Sequence, residues 1–151
     1  MTNKAAALVA GAKQWASYYG EYPNGEEGAV LTAILRIKAA WSDNDADAYA
    51  DMYVDDGSLL VGDSQLVSRE EIRAYMTEAF AAGYRGTQVT AEPKEIRLLT
   101  SSVAMAVTEG GVVREGLETL NPADEVRGLW IIVKRDGDWR VAAHQISPVT
   151  S

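Results

Sequence analysis

A single histidine, His144, stands in a chain of 151 residues that contains no cysteine. Imidazole is the side chain whose ordinary pKa suits it to exchange protons near neutrality, so His144 is a candidate general base. The missing cysteines exclude thiol nucleophiles, disulfides, thiolate zinc sites and iron–sulfur clusters, and one imidazole excludes a multi-histidine metal site. A second candidate for proton transfer is Glu109, which ends the apolar alternation Val103, Met105, Val107. It points into the mouth of a hollow if that face is covered, or has reached solvent beyond it. Counted from Trp139 by the period of two, His144 faces outward to an interface and Gln145 inward, unless a bulge before His144 reverses both. An inward Gln145 either bonds a ligand carbonyl or satisfies backbone at the end of its strand. Asp43, Asp45, Asp47, Asp51, Asp55 and Asp56 suit helix caps and a solvated face, and lack calcium-loop spacing with a closing glutamate. No metal is expected. Gly110-Gly111 does not open a helix, so no dinucleotide or flavin cofactor is expected either.

The elements that must position these groups follow from caps, turns and periodicity. An alanine-rich helix is expected over 4–19, then a turn at Tyr22-Pro23-Asn24-Gly25, with Asn24 and Glu27 spaced as a helix cap. Val30, Ile34, Ile37 and Trp41 recur at spacings of 4, 3 and 4, one face of a helix. Asn44 or Asp45 caps a shorter helix from Ala46 to about Tyr53, with Tyr49, Met52 and Tyr53 on one face. Asp55-Asp56-Gly57 then opens a strand over 58–61, and Gly62-Asp63 turns. Ser68-Arg69-Glu70-Glu71 is a capping box, Ile72, Met76 and Phe80 mark the inner face of a third helix, and Gly83 and Gly86 close it. Beyond residue 86 the period changes to that of strands: 87–100, 102–110, 112–117, 126–135 and 139–147. Asp136-Gly137 is a hairpin turn, and Pro93 requires its strand to start late, bend or lie at an edge.

Helices first and antiparallel strands after predict an α+β fold: a cone-shaped, strongly curved sheet of five or six strands wrapped over three main helices. One domain is expected over 25–151, with residues 1–24 as a helical extension. The covered face is assigned to Val103, Met105, Val107, Leu129, Ile131, Val133, Trp139, Val141 and Ala143. Trp41, Tyr49, Tyr53, Met76, Phe80, Met105 and Trp139 are the candidate lining of the hollow, each also explicable as plain core. Trp130, Ile132, Ala142, His144 and Ile146 then form an apolar outer face, and a homodimer through Trp130, Ile132 and Ile146 is expected. A net charge of −8 argues against nucleic acid as a partner. The apolar run Ala5–Ala10 is broken by Lys13 and Gln14, and nothing approaches a bilayer span, so a cytoplasmic protein without membrane partners is expected.

Ala39-Ala40-Trp41, Asp45-Ala46-Asp47-Ala48-Tyr49-Ala50, Met52-Tyr53, Asp55-Asp56-Gly57, Ser68-Arg69-Glu70-Glu71-Ile72 and Asp136-Gly137-Asp138-Trp139-Arg140-Val141 occur in order. Over about residues 27–148 this order resembles the SnoaL-like branch of the nuclear transport factor 2-like superfamily, whose fold is an α+β cone. A wider run adds Arg73, Phe80, Gly86-Thr87, Val107-Thr108-Glu109-Gly110-Gly111-Val112 and Ala142-Ala143-His144-Gln145. It is similar to the small accessory proteins of nine-membered enediyne antibiotic biosynthesis in actinomycetes. The resemblance implies a cone that takes a hydrophobic polyketide-derived intermediate and assists cyclisation or isomerisation. In the isomerases of this superfamily an aspartate base, a tyrosine and a strand aspartic acid act together. Carried onto this chain they fall at about Val61, Ile37 and near Leu129, all apolar, so that mechanism does not transfer. A non-catalytic homodimeric binding or assembly module is the alternative.

Overall fold

The structure, a computed structural model, describes residues 25–149, and the helix expected over 4–19 and the Asn24 cap lie outside them. Helix α1 (Gly25–Ser42) buries Val30, Leu31, Ile34, Ile37 and Trp41, as the spacing predicts. Asn44, at a φ of 51°, ends it in the left-handed region that asparagine tolerates. Its side-chain amide donates to the Trp41 carbonyl at 2.9 Å and accepts from the Gly86 N–H at 2.7 Å, tying the end of α1 to the loop before the sheet. Asp45 then caps α2 (Ala46–Asp51) by accepting from the Ala48 N–H at 3.0 Å.

Helix α2 is shorter than the periodicity predicts, because Tyr53 already begins β1 (Tyr53–Val61). The Met52 carbonyl accepts from the Val141 N–H at 2.8 Å, which draws the chain out of the helix and into the sheet. A short return strand, β2 (Ser64–Leu66), follows. Helix α3 (Arg69–Ala81) is capped by Ser68, which accepts from the Glu71 N–H at 3.1 Å, and buries Ile72, Met76 and Phe80. Arg69 reaches back to β1, donating to the Tyr53 carbonyl at 2.9 and 2.7 Å, where β1 leaves the regular ladder between Tyr53 and Ser58.

Four long strands complete the sheet: β3 (Gln88–Thr100), β4 (Val103–Val113), β5 (Glu125–Arg135) and β6 (Asp138–Pro148), with a 3-10 turn, Pro122–Asp124, before β5. Their order is β2-β1-β6-β5-β4-β3, and every pairing is antiparallel except β1 with β6. The fold is α+β, a curled open sheet of six strands carrying three helices. Pro93, without an N–H to donate, sits on the edge strand beside a bulge at Lys94. The strands expected over 102–110 and 112–117 are one strand, β4, which runs through Gly110-Gly111 and ends at Val113. A Cβ on Gly110 would collide with the Thr90 carbonyl, and one on Gly111 with that of Asp124, so neighbouring backbone can close on β4 only at these glycines. No helix among the described residues is long and apolar enough to cross a membrane.

The covered face of two strands is the reverse of the one expected. Ala104, Ala106 and Thr108 of β4 and Trp130 and Ile132 of β5 face the helices and are buried, whereas Val103, Met105, Val107, Ile131 and Val133 are only half-buried on the opposite side. Both faces of these strands carry apolar residues, so alternation alone does not fix the phase. Size does: Ala106 is the register partner of Trp130 and Ala104 that of Ile132, so each large side chain lies beside a small one on the crowded side. Trp130 and Ile132, at 3% and 0% exposure, therefore do not form an outer interface, and the half-buried Ile146 also turns inward.

Strand β6 starts in the expected phase, with Trp139 and Val141 buried. Ile132 pairs with Val141 but Ile131 pairs with Ala143, which leaves Ala142 as an extra residue. That bulge brings His144 to the inner face and sends Gln145 to the exposed one.

Gly110→Ala should destabilise the fold by about 3 kcal/mol, because the methyl group meets immovable backbone. Gly25→Ala, where no atom of the described residues lies within 4 Å of the new methyl, should change stability by less than about 0.5 kcal/mol. Urea unfolding of the two variants checks the contrast.

Candidate functional site

Between the C-terminal half of α1 and the concave side of the sheet lies a cavity of about 890 Å³. At the N-terminal end of α1 Trp139 is buried, outside the cavity lining. There Glu26 accepts from the Trp139 indole N–H at 3.0 Å and pairs with Lys134 at 3.2 Å. Trp139 thus seals the floor rather than lining the hollow. The wall is built from Ile34, Ile37 and Trp41 of α1, Tyr49 of α2, Val61 at the end of β1, and the inward residues of β3 to β6. Its rim is the loop after α3 and the segment between β4 and β5, where Arg114 and Asp124 form a two-point ion pair at 2.7 and 2.9 Å.

Several polar atoms around this space are already satisfied. The Trp41 indole N–H donates to Thr87 Oγ1 at 2.9 Å, and the Thr87 hydroxyl donates to the Tyr84 carbonyl at 2.6 Å. The Tyr49 and Tyr53 hydroxyls bond each other at 3.1 Å. Burial pushes the Tyr49 phenol up to about 12 and that of Tyr53 well above its ordinary value, so both stay neutral. Half-buried Lys38 lines the wall, and burial lowers its pKa.

His144 differs from these. Its ring stacks on Trp130 with centroids 3.4 Å apart and planes 15° from parallel. The imidazole Nδ1 is buried and has no hydrogen-bond partner among the described residues. Burial lowers its pKa from 6.5 to about 3, so the ring is neutral at physiological pH. Beside it the Trp130 indole N–H donates to Thr108 Oγ1 at 2.9 Å.

Of the residues singled out in the sequence, Trp41, Tyr49 and His144 line the cavity, together with Trp130 and Ile146, which were expected at an interface. Tyr53, Met76, Phe80 and Ile132 belong to the core behind the wall. Met105 lies on the outer face of β4, within 4.0 Å of Arg97. Glu109 also lies outside the hollow, pairing with Arg127 at 3.5 Å and Lys94 at 3.8 Å, and Gln145 is exposed beyond the bulge. Thr108, Gly128, Lys38, Ile37 and Val61 were missed as wall residues. A polar residue in step with Ala104 and Ala106 was the available signal for Thr108.

A model of the SnoaL-like domain matches residues 30–151. The chain belongs to the SnoaL-like domain family. No match to a curated protein was found. Among solved structures the SnoaL-like chain is similar to a cystatin-like-fold domain of unknown function from Nostoc punctiforme, with a TM-score of 0.77 and 19% identity over 85% of this chain and 80% of that one. An NTF2-like protein from Novosphingobium aromaticivorans has a TM-score of 0.71 and 19% identity, over 90% of this chain and 88% of that one. A ketosteroid isomerase-like protein from Erwinia carotovora has a TM-score of 0.67 and 22% identity, over 85% of this chain and 99% of that one. These likenesses concern the fold. Ile37 and Val61, where the resemblance would carry over an isomerase tyrosine and base, do face the cavity and are apolar, while Leu129 points outward at 44% exposure.

The neutral burial of His144 makes stability depend on pH. Its folded-state pKa lies below the unfolded value of 6.5, so the unfolded chain binds the proton first as pH falls. Wild-type stability should drop by about 2 kcal/mol between pH 7.5 and pH 5 from this group alone, and His144→Phe should remove that share. Urea unfolding at fixed protein concentration across that range checks the sign and the size.

Proposed function

We propose that this SnoaL-like chain binds a hydrophobic polyketide-derived intermediate in its cavity and holds it for cyclisation or isomerisation, as an accessory protein of enediyne-type natural-product assembly. The observation that carries the reading is the wall itself. A hollow of about 890 Å³ faced by Ile34, Ile37, Trp41, Tyr49, Val61 and Trp130 suits a flat, apolar molecule of drug-like size. On its sheet side the polar groups Thr108 and His144 are neutral, while Lys38 on the helix side and the ion-paired Arg114 and Asp124 also line it. Holding a flexible chain in a reactive conformation accelerates an intramolecular closure without a strong acid or base. Glu109 and Gln145 take no part, and the polar work falls to His144 and Thr108. The pathway is supported by the sequence resemblance alone, and a cytoplasmic setting goes with it.

A second reading, a homodimeric binding or assembly module, is favoured by the outer face of the sheet. Met105 pairs with Ile131, Val107 with Leu129 and Val103 with Val133, making an apolar strip that Glu95 and Arg97 border on one side and Gln145 on the other. Such a strip with a polar rim fits a second copy of the same face. The dimer proposal therefore moves from Trp130 and Ile132 to Leu129 and Ile131.

Native mass spectrometry of the chain purified from an enediyne-producing host, followed by release of bound molecules, tests the first reading. A conjugated polyene-type ligand is expected, at one per chain. Val112→Trp, filling the cavity wall, should reduce capture by about tenfold or more with folding retained. An empty chain that stays empty when offered pathway extract sinks the pocket reading. Light scattering tests the second: wild type should have twice the chain mass, and Ile131→Glu should halve it while leaving ligand capture intact.

A further inference from the structure

Three polar atoms of the cavity's sheet wall converge on one point. Gly128 is an inward-facing position of β5, opposite Thr108 in the register and two residues before Trp130. A Cβ built on it would stand 2.7 Å from Thr108 Oγ1, 3.1 Å from His144 Nε2 and 3.1 Å from Trp130 Nε1. Without a side chain there, these three atoms surround a small recess in the cavity wall.

Their hydrogen-bond states can be worked out from what surrounds them. Trp130 Nε1 donates to Thr108 Oγ1 at 2.9 Å, so the threonine oxygen already accepts. The Thr108 hydroxyl proton has no acceptor among the described residues and is free to donate. A chain in which one donor feeds the next strengthens the terminal donor. His144 is neutral and carries one proton. Its Nδ1 is buried without a partner among the described residues, and an orphaned N–H is rarer and more costly than an orphaned lone pair. The proton therefore sits on Nε2, the nitrogen beside the recess. Two neutral donors, Thr108 Oγ–H and His144 Nε2–H, thus face one small space that offers them nothing to bond.

We infer that the recess over Gly128 is a carbonyl-binding subsite, in which Thr108 and His144 donate to one ligand oxygen while the conjugated body of the ligand lies along the aromatic wall. The inference rests on the pocket reading above and adds the chemical group that the pocket selects: a ketone, ester or thioester oxygen next to flat apolar surface. Two donors on one oxygen polarise the carbonyl and favour the enol or enolate form through which a neighbouring carbon loses a proton or closes a ring. Neither donor is charged, so the subsite attracts a neutral carbonyl over a carboxylate. Gly128 is the specificity-determining position, because any side chain fills the recess.

A matched pair of probes tests this on the whole protein. 2-Acetylnaphthalene and 2-isopropenylnaphthalene have nearly the same shape and differ by an oxygen in place of a CH2 group. Equilibrium dialysis should show wild type binding the ketone about tenfold more tightly than the alkene. The infrared carbonyl stretch of the bound ketone should move to lower frequency than in a hydrocarbon solvent. Thr108→Val, His144→Phe and Gly128→Ala should each bring the ketone affinity towards that of the alkene. Alkene binding by the same variant is the reference against which each ketone affinity is read. Equal binding of both probes by wild type, with an unshifted carbonyl band, overturns the subsite and leaves the apolar pocket standing. Failure of both probes to bind overturns the pocket reading and the subsite with it. A ketone preference that survives in both Thr108→Val and His144→Phe also overturns the subsite. The wild-type comparison and the band position need no variant, so poor folding of any substituted chain does not decide the matter.

Discussion

Ala142 has no partner across β5, and the inner face of the cavity depends on that. A strand with regular alternation would bury Trp139, Val141, Ala143 and Gln145. With one residue looped out, the buried set becomes Trp139, Val141 and His144, and the sole imidazole of the chain turns towards the hollow. The neighbouring strand carries its own irregularity at the same level. β1 passes from Tyr53 opposite Val141 to Ser58 opposite Ala143, and Arg69 holds the carbonyl of Tyr53 through that stretch. Two adjacent irregularities sharpen the bend of the sheet where it must curl, which is the usual role of bulges in strongly curved sheets.

The three described tryptophans of the core organise the two ends of that curl. Each buries a large apolar surface and must find an acceptor for its indole N–H. Trp139 uses Glu26 and closes the floor. Trp41 uses Thr87 and binds the end of α1 to the start of β3. Trp130 uses Thr108 and locks two adjacent strands side chain to side chain, at the place where the wall meets open space. Carboxylate, hydroxyl and hydroxyl are different acceptors with different consequences. The ionised carboxylate only accepts, whereas a hydroxyl that accepts still has a proton to offer. The floor is therefore chemically finished and the upper wall is not.

The sequence exposed those parts of the fold that local chemistry decides. Ser68 and Asp45 cap the helices they were expected to cap, the stripe Val30, Ile34, Ile37, Trp41 is buried, and Asp136-Gly137 turns the last hairpin with both residues at positive φ. What it concealed depends on a second surface. Both faces of β4 and β5 are apolar, so choosing between Met105 and Ala106, or between Ile131 and Trp130, required knowing the space left beneath the helices. The continuation of β4 through Gly110-Gly111 was hidden for a similar reason: glycines that read locally as a break are here the residues that let two other backbone segments approach. The bulge at Ala142 has no local mark at all, since alanine is at home on either face. Glu109 was drawn into the candidate site by alternation counted from the wrong phase of β4, and Gln145 by alternation counted from the right phase of β6 across the bulge.

His144 is also the place where the fold leaves something undone. A buried polar atom without a partner costs about 1–3 kcal/mol, and a phenylalanine stacked on Trp130 would avoid that cost. The stack itself supplies only the packing that any flat ring supplies. Packing thus explains the ring and leaves the nitrogens unexplained. Desolvation explains more once both nitrogens are considered together. The surroundings that leave Nδ1 without a partner force the proton onto Nε2, keep the ring neutral, and lower the local dielectric in which Nε2 meets an incoming oxygen. Water in bulk would weaken that donor, and a salt bridge would occupy it. An imidazole buried on one edge and facing the cavity with the other therefore keeps its Nε2 donor for an incoming oxygen, while the cost at Nδ1 remains.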